Sequence, residues 1–232
     1  MAQPSRSLMT RSQLASMIDH TLLKAEATAA EIDALCREAL RFGFAAVCVN
    51  PVYVRQAAAR VSGSPVRVAT VAGFPLGASM TATKVDEARR AIDDGAVEVD
   101  MVVRVGDLMA GNGGEVRDDV AAVAEAVHAA SPRHILKVIL ETAVLTEEQI
   151  ILGCRCCIDA GADFVKTSSG FHPAGGATVH AVRLLHRHAW PLKVKAAGGI
   201  RDAETALAMI EAGASRLGMS ASVEVVCSLP AA

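Results

Sequence analysis

The chain has 232 residues, of which 52% are hydrophobic and 21% are charged, and its formal net charge at pH 7 is −2. This composition is typical of a globular protein with a sizeable core, and the absence of a basic block argues against nucleic-acid binding. Aromatic residues make up 3%, too few for the stacking platform of single-strand binders, and no 18-residue apolar run could span a bilayer. The sequence therefore predicts a soluble, cytoplasmic protein whose partners include neither nucleic acid nor membrane.

Short apolar segments recur along the chain and predict eight strands. They lie at 17–21, 45–49, 66–72, 97–103, 135–140, 163–167, 192–196 and 215–219. Their aliphatic character, with little polar alternation, is typical of parallel strands that are covered on both faces. Amphipathic stretches separate most of them and predict helices at 81–94, 115–130, 146–160, 176–188 and 203–212.

Glycines and cap residues mark the ends of the predicted helices. Thr146 and Asp202 are predicted N-caps. Four glycines stand where a helix C-terminus takes left-handed backbone, namely Gly43, Gly95, Gly161 and Gly213.

Eight βα units predict a (β/α)8 TIM barrel, a single domain over residues 1–232 with its core at about 13–224 and loosely ordered tails. A doubly wound open sheet is less favoured, because the first βα turn lacks a Gly-rich dinucleotide fingerprint.

The six cysteines do not have the spacing of a disulfide framework. Cys154 and Cys157 form a CxxC, but no second ligand pair completes a zinc site. The helical apolar pattern around them favours small buried thiols, so the sequence predicts no metal. Cys48 ends the second predicted strand and is also interpreted as a buried thiol, because no histidine partner is evident.

Two lysines and an aspartate occupy strand positions near the carboxyl ends, where a barrel carries its active site. Burying an ammonium group costs several kcal/mol unless it is paired or loses its proton. A lysine nucleophile must be neutral, and both burial and a second ammonium lower its pKa from about 10.4. We interpret Lys166 as the nucleophile, Lys195 as the second ammonium, and Asp100 as a proton-transfer group or the holder of a water. The alternative is a buried Lys–Asp network that only stabilises the barrel.

A phosphate site is predicted from the loops after the last two strands. Gly198 and Gly199 follow the seventh strand, and Gly218 and Ser220 end the eighth. Barrels often bind phosphate with these loops, because glycine lets the backbone approach an anion and serine donates a hydroxyl. The alternative is that the glycine pair only forms a tight turn.

Eight motifs resemble, in the same order, those of the deoxyribose-phosphate aldolase family of class I aldolases. The resemblance covers about residues 17–226. The motifs are IDHTLLKAEAT (18–28), VCVNP (47–51), VAGFPLGA (71–78), EVDMV (98–102), LKVILET (136–142), DFVKTSSGF (163–171), VKAAGGIR (194–201) and GASRLGMS (213–220).

The resemblance implies a (β/α)8 barrel that reversibly cleaves 2-deoxy-D-ribose 5-phosphate to acetaldehyde and D-glyceraldehyde 3-phosphate. It implies a Schiff base on Lys166, a pKa-lowering role for Lys195, a proton relay through Asp100, no cofactor, and a homodimer. The substrate- and phosphate-binding residues that it implies are Asp19, Thr21, Lys137, Thr167, Gly170, Gly198, Gly199, Gly218 and Ser220.

Two other functions remain open at this point. A phosphate-binding barrel isomerase would need a pair of Asp or Cys bases rather than Lys166, and a catalytically degenerate barrel would only bind sugar phosphates. The chain also departs from many family members at Arg104, Met219 and Ala221. Trapping of an imine would separate the aldolase from both alternatives.

Overall fold

Eight parallel strands close into a barrel in a computed structural model that describes residues 9–229. Each strand pairs with the next along the chain, and the last pairs with the first. The predicted (β/α)8 architecture is confirmed, and each strand end lies within one residue of its predicted position. The strands are β1 Ile18–Leu22, β2 Ala46–Val49, β3 Arg67–Ala72, β4 Glu98–Val102, β5 Ile135–Ile139, β6 Phe164–Lys166, β7 Lys193–Ala197 and β8 Arg216–Met219.

Helices connect successive strands and cover the outside of the barrel. All five predicted helices are present, although the one expected from 176 begins three residues later because Thr178 is its N-cap. The helices are α1 Arg11–Ala15, α2 Ala29–Phe42, α3 Val54–Val61, α4 Thr81–Asp93, α5 Val105–Met109, α6 Gly113–Ala130, α7 Glu147–Asp159, α8 Val179–His188, α9 Ala203–Glu211 and α10 Ser222–Ser228.

Local sequence sets where the helices begin and end. Thr146 accepts a hydrogen bond from the backbone N–H of Gln149 in a capping box, and Asp202 accepts one from Thr205, so both predicted N-caps are confirmed. The four predicted glycines all have positive φ, and Gly43 is the left-handed C-cap of α2.

The barrel interior divides into an apolar half and a charged half. Side chains at alternate strand positions face inward, as the period of two requires. Ala46, Cys48, Ala69 and Val71 of β2 and β3 form a small apolar cluster with Leu23. β1 and β4 to β8 instead each carry at least one charged group at an inward position. The larger core lies outside the barrel, between the strands and the helices.

The structure corrects the expectation of loosely ordered tails where it describes them. Residues 11–15 and 222–228 are helical, and α1 packs against α10. The Arg11 guanidinium donates to the carbonyl oxygens of Leu229 at 2.6 Å and Cys227 at 2.9 Å, which fastens the two ends together. The rest of the predicted tails, 1–8 and 230–232, lies outside the described residues. Within residues 9–229, no helix has both the length and the apolarity of a membrane span.

Candidate active site

Three buried lysines converge on Asp100 inside the barrel. Asp100 lies in β4, and its Oδ2 accepts from the Nζ atoms of Lys166 in β6 and Lys195 in β7, each at 2.7 Å. Its Oδ1 accepts from Lys137 Nζ in β5 at 2.8 Å. Burial alone would raise the pKa of Asp100, but the three ammonium partners outweigh it and keep this pKa well below its usual range. Asp100 is therefore ionised at neutral pH.

Lys195 is held as an ammonium by two carboxylates. Its Nζ lies 2.5 Å from Asp19 Oδ2 in β1, in addition to its bond with Asp100. Burial opposes the charge, yet Asp100 and Asp19 outweigh it and raise the pKa of Lys195 above that of an ordinary lysine. Lys137 behaves in the same way, because Asp100 and Glu98 together raise its pKa. Both lysines stay protonated.

Lys166 differs from the other two in the direction of its pKa. Burial lowers the pKa of Lys166, and repulsion from Lys195 adds to this effect. Attraction to Asp100 opposes these effects but does not prevail, because burial is the largest of them. Asp100 also pairs with the ammonium groups of Lys137 and Lys195. The buried Lys–Asp network that was an alternative to catalysis therefore exists, and Lys166 is the member whose proton is easiest to remove.

Two charged residues that the sequence analysis missed complete the network. Glu98 lies two residues before Asp100 in β4, and its Oε2 is 2.6 Å from Lys137 Nζ. Arg216 of β8 donates from Nη1 to Asp19 Oδ1 at 2.6 Å and to Glu98 Oε2 at 3.2 Å. Strand parity could have found both, since Glu98 shares its face with Asp100 and Arg216 shares its face with Gly218.

A cavity of about 270 Å³ opens above Lys166 at the carboxyl ends of β1, β6, β7 and β8. Lys24 and Arg201, which the sequence analysis did not select, also line it and add positive charge at its rim. Seven predicted site residues line this cavity: Thr21, Lys166, Gly170, Gly198, Gly199, Gly218 and Ser220. Asp19, Asp100, Lys137 and Lys195 lie in the buried network beneath it.

At the cavity rim, the β6–α8 loop and the β7–α9 loop cross closely, and glycines lie where they meet. A Cβ added to Gly198 would lie 3.0 Å from Gly176 Cα and 3.3 Å from Gly170 Cα. The amide N–H of Ala177 donates to the carbonyl oxygen of Gly198 at 3.0 Å. Gly198 has φ 89° and Gly170 has φ 84°, so both also need left-handed backbone. The β6–α8 and β7–α9 loops therefore meet through their main chains.

Gly218 has a second reason to lack a side chain. A Cβ at this position would lie 3.0 Å from the Cε of Lys195 and 3.1 Å from the Cβ of Ala197. The bare backbone of β8 thus leaves room for the lysine to extend between Asp19 and Asp100. Gly218 both borders the cavity and permits the ion network.

Thr167 does not reach the cavity, contrary to the sequence prediction. Its side chain is fully buried, and its hydroxyl donates to the carbonyl oxygen of Ala197 and accepts from the amide N–H of Ala197, both at 3.1 Å. Adjacent strand residues point to opposite faces, so Thr167 cannot share the inward face of Lys166. It joins β6 to β7 instead of binding substrate.

Glu141 fixes the loop that follows Lys166. It is buried after β5 and has φ 62°, a left-handed conformation that is uncommon for a residue with a side chain. Its carboxylate accepts from the Ser169 hydroxyl at 2.5 Å and from the Ser169 amide N–H at 3.2 Å. This contact holds Ser169 beside Gly170 at the cavity edge.

The cysteines contribute no site. Burial raises the pKa of Cys48 to about 11 and that of Cys154 to about 12, so both are neutral thiols at pH 7. Cys157 is also buried within α7. Within residues 9–229, no group of three or more His, Cys, Asp or Glu side chains is placed to bind a metal ion.

Two of the three departures from the family pattern lie near the cavity. Met219 lines it and is buried, and Ala221 follows Ser220 at the N-cap of α10. Arg104 instead pairs with Asp107 at 2.6 Å and with Glu115 at 3.2 Å, beside a different cavity.

Comparisons with known proteins agree with this geometry. A family model described as DeoC/LacD family aldolase matches residues 13–222. The deoxyribose-phosphate aldolase 1 of Bacillus licheniformis is 51% identical, covering 94% of this chain and 97% of the relative, and the enzyme of Carboxydothermus hydrogenoformans is 49% identical, covering 96% and 97%.

The solved tetrameric deoxyribose phosphate aldolase of Aeropyrum pernix superposes with a TM-score of 0.87 at 33% identity, covering 94% of this chain and 92% of that one. The fold, the buried lysines and the family match over most of the chain lead to one assignment. This chain is a lyase that belongs to the DeoC/LacD family aldolases.

Proposed function

We propose that the chain is a deoxyribose-phosphate aldolase that cleaves 2-deoxy-D-ribose 5-phosphate through an imine on Lys166. The position of Lys166 carries this proposal. Its amine lies where the buried ion network meets the cavity, and its carboxylate partner Asp100 is shared with two other lysines. Such a lysine has a larger neutral fraction at pH 7 than an exposed one, which is what attack on a carbonyl requires. The names of relatives about half identical to the chain support the substrate.

The first half of the reaction forms the imine. The neutral amine of Lys166 attacks C1 of the open-chain aldehyde and gives a carbinolamine. Lys195, an ammonium that is bonded to the same carboxylate oxygen, donates a proton as the hydroxyl leaves as water. Lys166 Nζ lies 2.7 Å from Asp100 Oδ2, so Asp100 is placed to accept the proton that this nitrogen loses.

The second half breaks the bond between C2 and C3. Asp100, directly or through a water that it holds, accepts the proton of the C3 hydroxyl, the C2–C3 electron pair moves into the iminium, and D-glyceraldehyde 3-phosphate departs. The iminium is the electron sink for this step. Protonation of the resulting enamine at C2 and hydrolysis of the imine then release acetaldehyde and return Lys166.

The cavity rim is proposed to bind the phosphate of the substrate. Gly170, Gly198 and Gly199 bring backbone close to the anion, and Ser220 supplies a hydroxyl. We infer that Thr21 contacts the sugar from the β1 side, because it lines the same cavity. Asp19 and Lys137 were also predicted to bind substrate or phosphate, but they lie in the buried network beneath the cavity and hold the other lysines in place. Gly218 lines the cavity, so its backbone remains in the proposed phosphate site.

Imine trapping tests the proposal directly. Incubation with acetaldehyde and borohydride followed by peptide mass spectrometry should place a two-carbon adduct on the peptide that contains Lys166. Lys166→Ala should abolish the adduct. Lys193→Ala, which removes an exposed lysine at the opposite end of β7, should retain it. A folded wild-type protein without an adduct would refute the proposal and favour the isomerase or binding-only function.

The phosphate assignment has its own test. We expect Ser220→Ala to raise KM for 2-deoxyribose 5-phosphate about 5- to 10-fold, the effect of losing one hydrogen bond of about 1 kcal/mol, and to leave kcat nearly unchanged. With unphosphorylated 2-deoxyribose, the same variant should match the wild type. An equal effect on both substrates would contradict the assignment.

We further propose that a single barrel domain in the cytoplasm carries the reaction, and that it forms a homodimer. Site residues come from β1 and from β4 to β8, six of the eight strands of one closed barrel, which supports one domain. Leu76 and Met80, both exposed in the β3–α4 loop, supply apolar surface for a contact between copies. Sedimentation velocity of the purified chain would distinguish dimer from monomer or tetramer.

A further inference from the structure

Two oppositely charged residues, Glu98 and Arg216, form a deep pair that lies below the lysines of the proposed reaction. Glu98 and Arg216 each precede by two residues a site position of their own strand, Asp100 and Gly218. Both side chains are buried, and the Arg216 guanidinium lies 5.9 Å from the Phe164 ring. Because they do not line the cavity, neither residue is placed to touch a substrate.

Short ion pairs connect this deep pair to both carboxylates of the site. Arg216 joins Asp19 to Glu98 through one nitrogen, Nη1. Glu98 Oε2 in turn lies 2.6 Å from Lys137 Nζ, and the same Nζ lies 2.8 Å from Asp100 Oδ1. On the other side, Asp19 reaches Lys195, which shares its Asp100 oxygen with Lys166. The charge of the deep pair therefore acts on Lys166 through two routes.

The number of charges in this network is balanced without Lys166. Among the buried residues that the structure describes in the barrel interior, the three carboxylates are Asp19, Glu98 and Asp100. Three cations other than Lys166 pair with them, namely Lys137, Lys195 and Arg216. A proton on Lys166 would add an unbalanced charge to a buried site, which is costly. Each carboxylate and cation in this count therefore helps to determine whether the Lys166 amine is neutral or protonated.

We propose that Glu98 and Arg216 are positioning residues that set the protonation of Lys166 through the charge balance of the barrel interior. This inference rests on the proposed role of Lys166. It assigns to Glu98 and Arg216 a function beyond stability, because the carboxylate of Glu98 raises the pKa of Lys166 and the guanidinium of Arg216 lowers it.

Opposite shifts in the pKa of Lys166 on removing Arg216 or Glu98 distinguish this proposal from a purely structural role. Arg216→Gln leaves three carboxylates facing two cations, so Lys166 retains its proton up to a higher pH. Glu98→Gln leaves two carboxylates facing three cations, so Lys166 loses its proton at a lower pH. At a separation on the order of 10 Å and an effective dielectric constant of about 20, each shift is about one pH unit. The double variant removes one charge of each sign, and its shifts should cancel.

Several other groups face Lys166 and must be unchanged in these variants. They are Asp100 of β4, Lys195 of β7 and the Cys48 thiol of β2. Arg67 of β3 bonds to Glu98 Oε1 at 3.0 Å, but its side chain is 51% exposed, so solvent screens it. This exposure makes Arg67→Gln a milder cation removal that is expected to shift the profile upward by less than Arg216→Gln.

The test measures the rate of acetaldehyde trapping by cyanoborohydride between pH 5 and 10, scored as adduct on Lys166. We expect the midpoint of the acid limb to rise in Arg216→Gln, to fall in Glu98→Gln, and to return near the wild-type value in the double variant. Arg216→Lys, which keeps the charge, should remain close to wild type. Thermal denaturation of each variant confirms that the folded protein is compared.

Each outcome decides between named explanations. Shifts of the same sign in both single variants, or no shift in folded variants, would overturn the inference while leaving imine formation intact. Absence of an adduct on wild-type Lys166 would instead refute the proposed function itself. If Arg216→Gln does not fold, Glu98→Gln and Arg67→Gln still give opposite expected shifts, and equal signs there would also overturn the inference.

Discussion

Two buried lysines of this barrel face different surroundings. Lys84 of α4 lies outside the strands, where its Nζ is 2.6 Å from Asp119 Oδ2 and 2.9 Å from the Val102 carbonyl oxygen. Lys166 lies inside, 2.7 Å from an aspartate that also binds two other lysines, and it borders the cavity. Burial lowers the pKa of both side chains.

The comparison shows that a depressed pKa does not identify a catalytic lysine. Lys84 is fully buried, has Asp119 as its own carboxylate, and does not line the substrate cavity. Its proton would be easier to remove than that of an exposed lysine, but no carbonyl could reach the amine. What marks Lys166 is a shared counter-ion together with access to a cavity.

The largest expected difference is obtained by replacing each lysine with methionine. Lys166→Met should reduce aldol cleavage by at least about 10³-fold, since the covalent step is lost. Its stability should change by no more than about 1 kcal/mol, because Asp100 keeps two ammonium partners. Steady-state cleavage assays and thermal denaturation would measure the two effects.

Lys84→Met should show the reverse pattern. It leaves Asp119 buried without its ammonium and is expected to cost about 3–5 kcal/mol of unfolding free energy. The folded fraction should still form the imine at the wild-type rate per molecule. Loss of imine formation in folded Lys84→Met would show that the two lysines do not differ as argued.

Removing both members of the outer pair gives the next largest effect. We expect Lys84→Met combined with Asp119→Leu to regain more than half of the stability that Lys84→Met loses, because no unpaired buried charge remains. Recovery should be incomplete, since the Val102 carbonyl and the Thr81 hydroxyl each lose a partner. Urea unfolding of the single and double variants would give the difference, and a double variant less stable than the single would contradict this account.

A change in the inner network should alter a pH profile instead. Lys195→Met removes the ammonium that repels a proton from Lys166 and frees Asp100 to attract one, so the pKa of Lys166 should rise. Since the amine must be neutral to react, acetaldehyde trapping at pH 7 should fall about 10- to 100-fold, a shift of about one to two units. It should recover as the pH rises through the new pKa. A part of the loss that persists above the new pKa would measure the proton that Lys195 is proposed to donate to the carbinolamine, whereas a loss with no pH-dependent part would contradict its effect on the pKa of Lys166.

The smallest effect is expected at Cys48. Its thiol faces Lys166 but is neutral at pH 7, because burial raises its pKa to about 11. Cys48→Ala should therefore leave the rate and its pH profile within about threefold of wild type, with a stability cost of about 1 kcal/mol for the small cavity. A shifted acid limb would reveal a thiolate in the network.

The sequence was sufficient for the barrel because its signals are local. Aliphatic strands, capping residues such as Thr146 and left-handed glycines such as Gly43 each determine nearby backbone. The two ends of the chain were harder to predict. Arg11 joins carbonyl oxygens more than 200 residues away, a contact that no local pattern contains.

The site could be predicted in part, and the errors have physical reasons. Lys166, Lys195 and Asp100 could be found because charged groups are unusual in buried strands. Thr167 was assigned by its position in a motif, whereas strand parity turns it toward Ala197. Strand parity places Glu98 and Arg216 inside the barrel, but their ion-pair partners lie on other strands and depend on the barrel register, which no local pattern contains.

The glycine crossing above Lys166 has a consequence for attempts to alter which aldehydes this enzyme accepts. Where Gly198 meets Gly170 and Gly176, the wall of the cavity is main chain, so a library of side chains at these positions would damage the fold before it reshaped the pocket. The opposite wall is built from side chains such as Leu23 and Lys24. Directed evolution of substrate range should therefore diversify the β1 side of the opening and keep the glycine side constant.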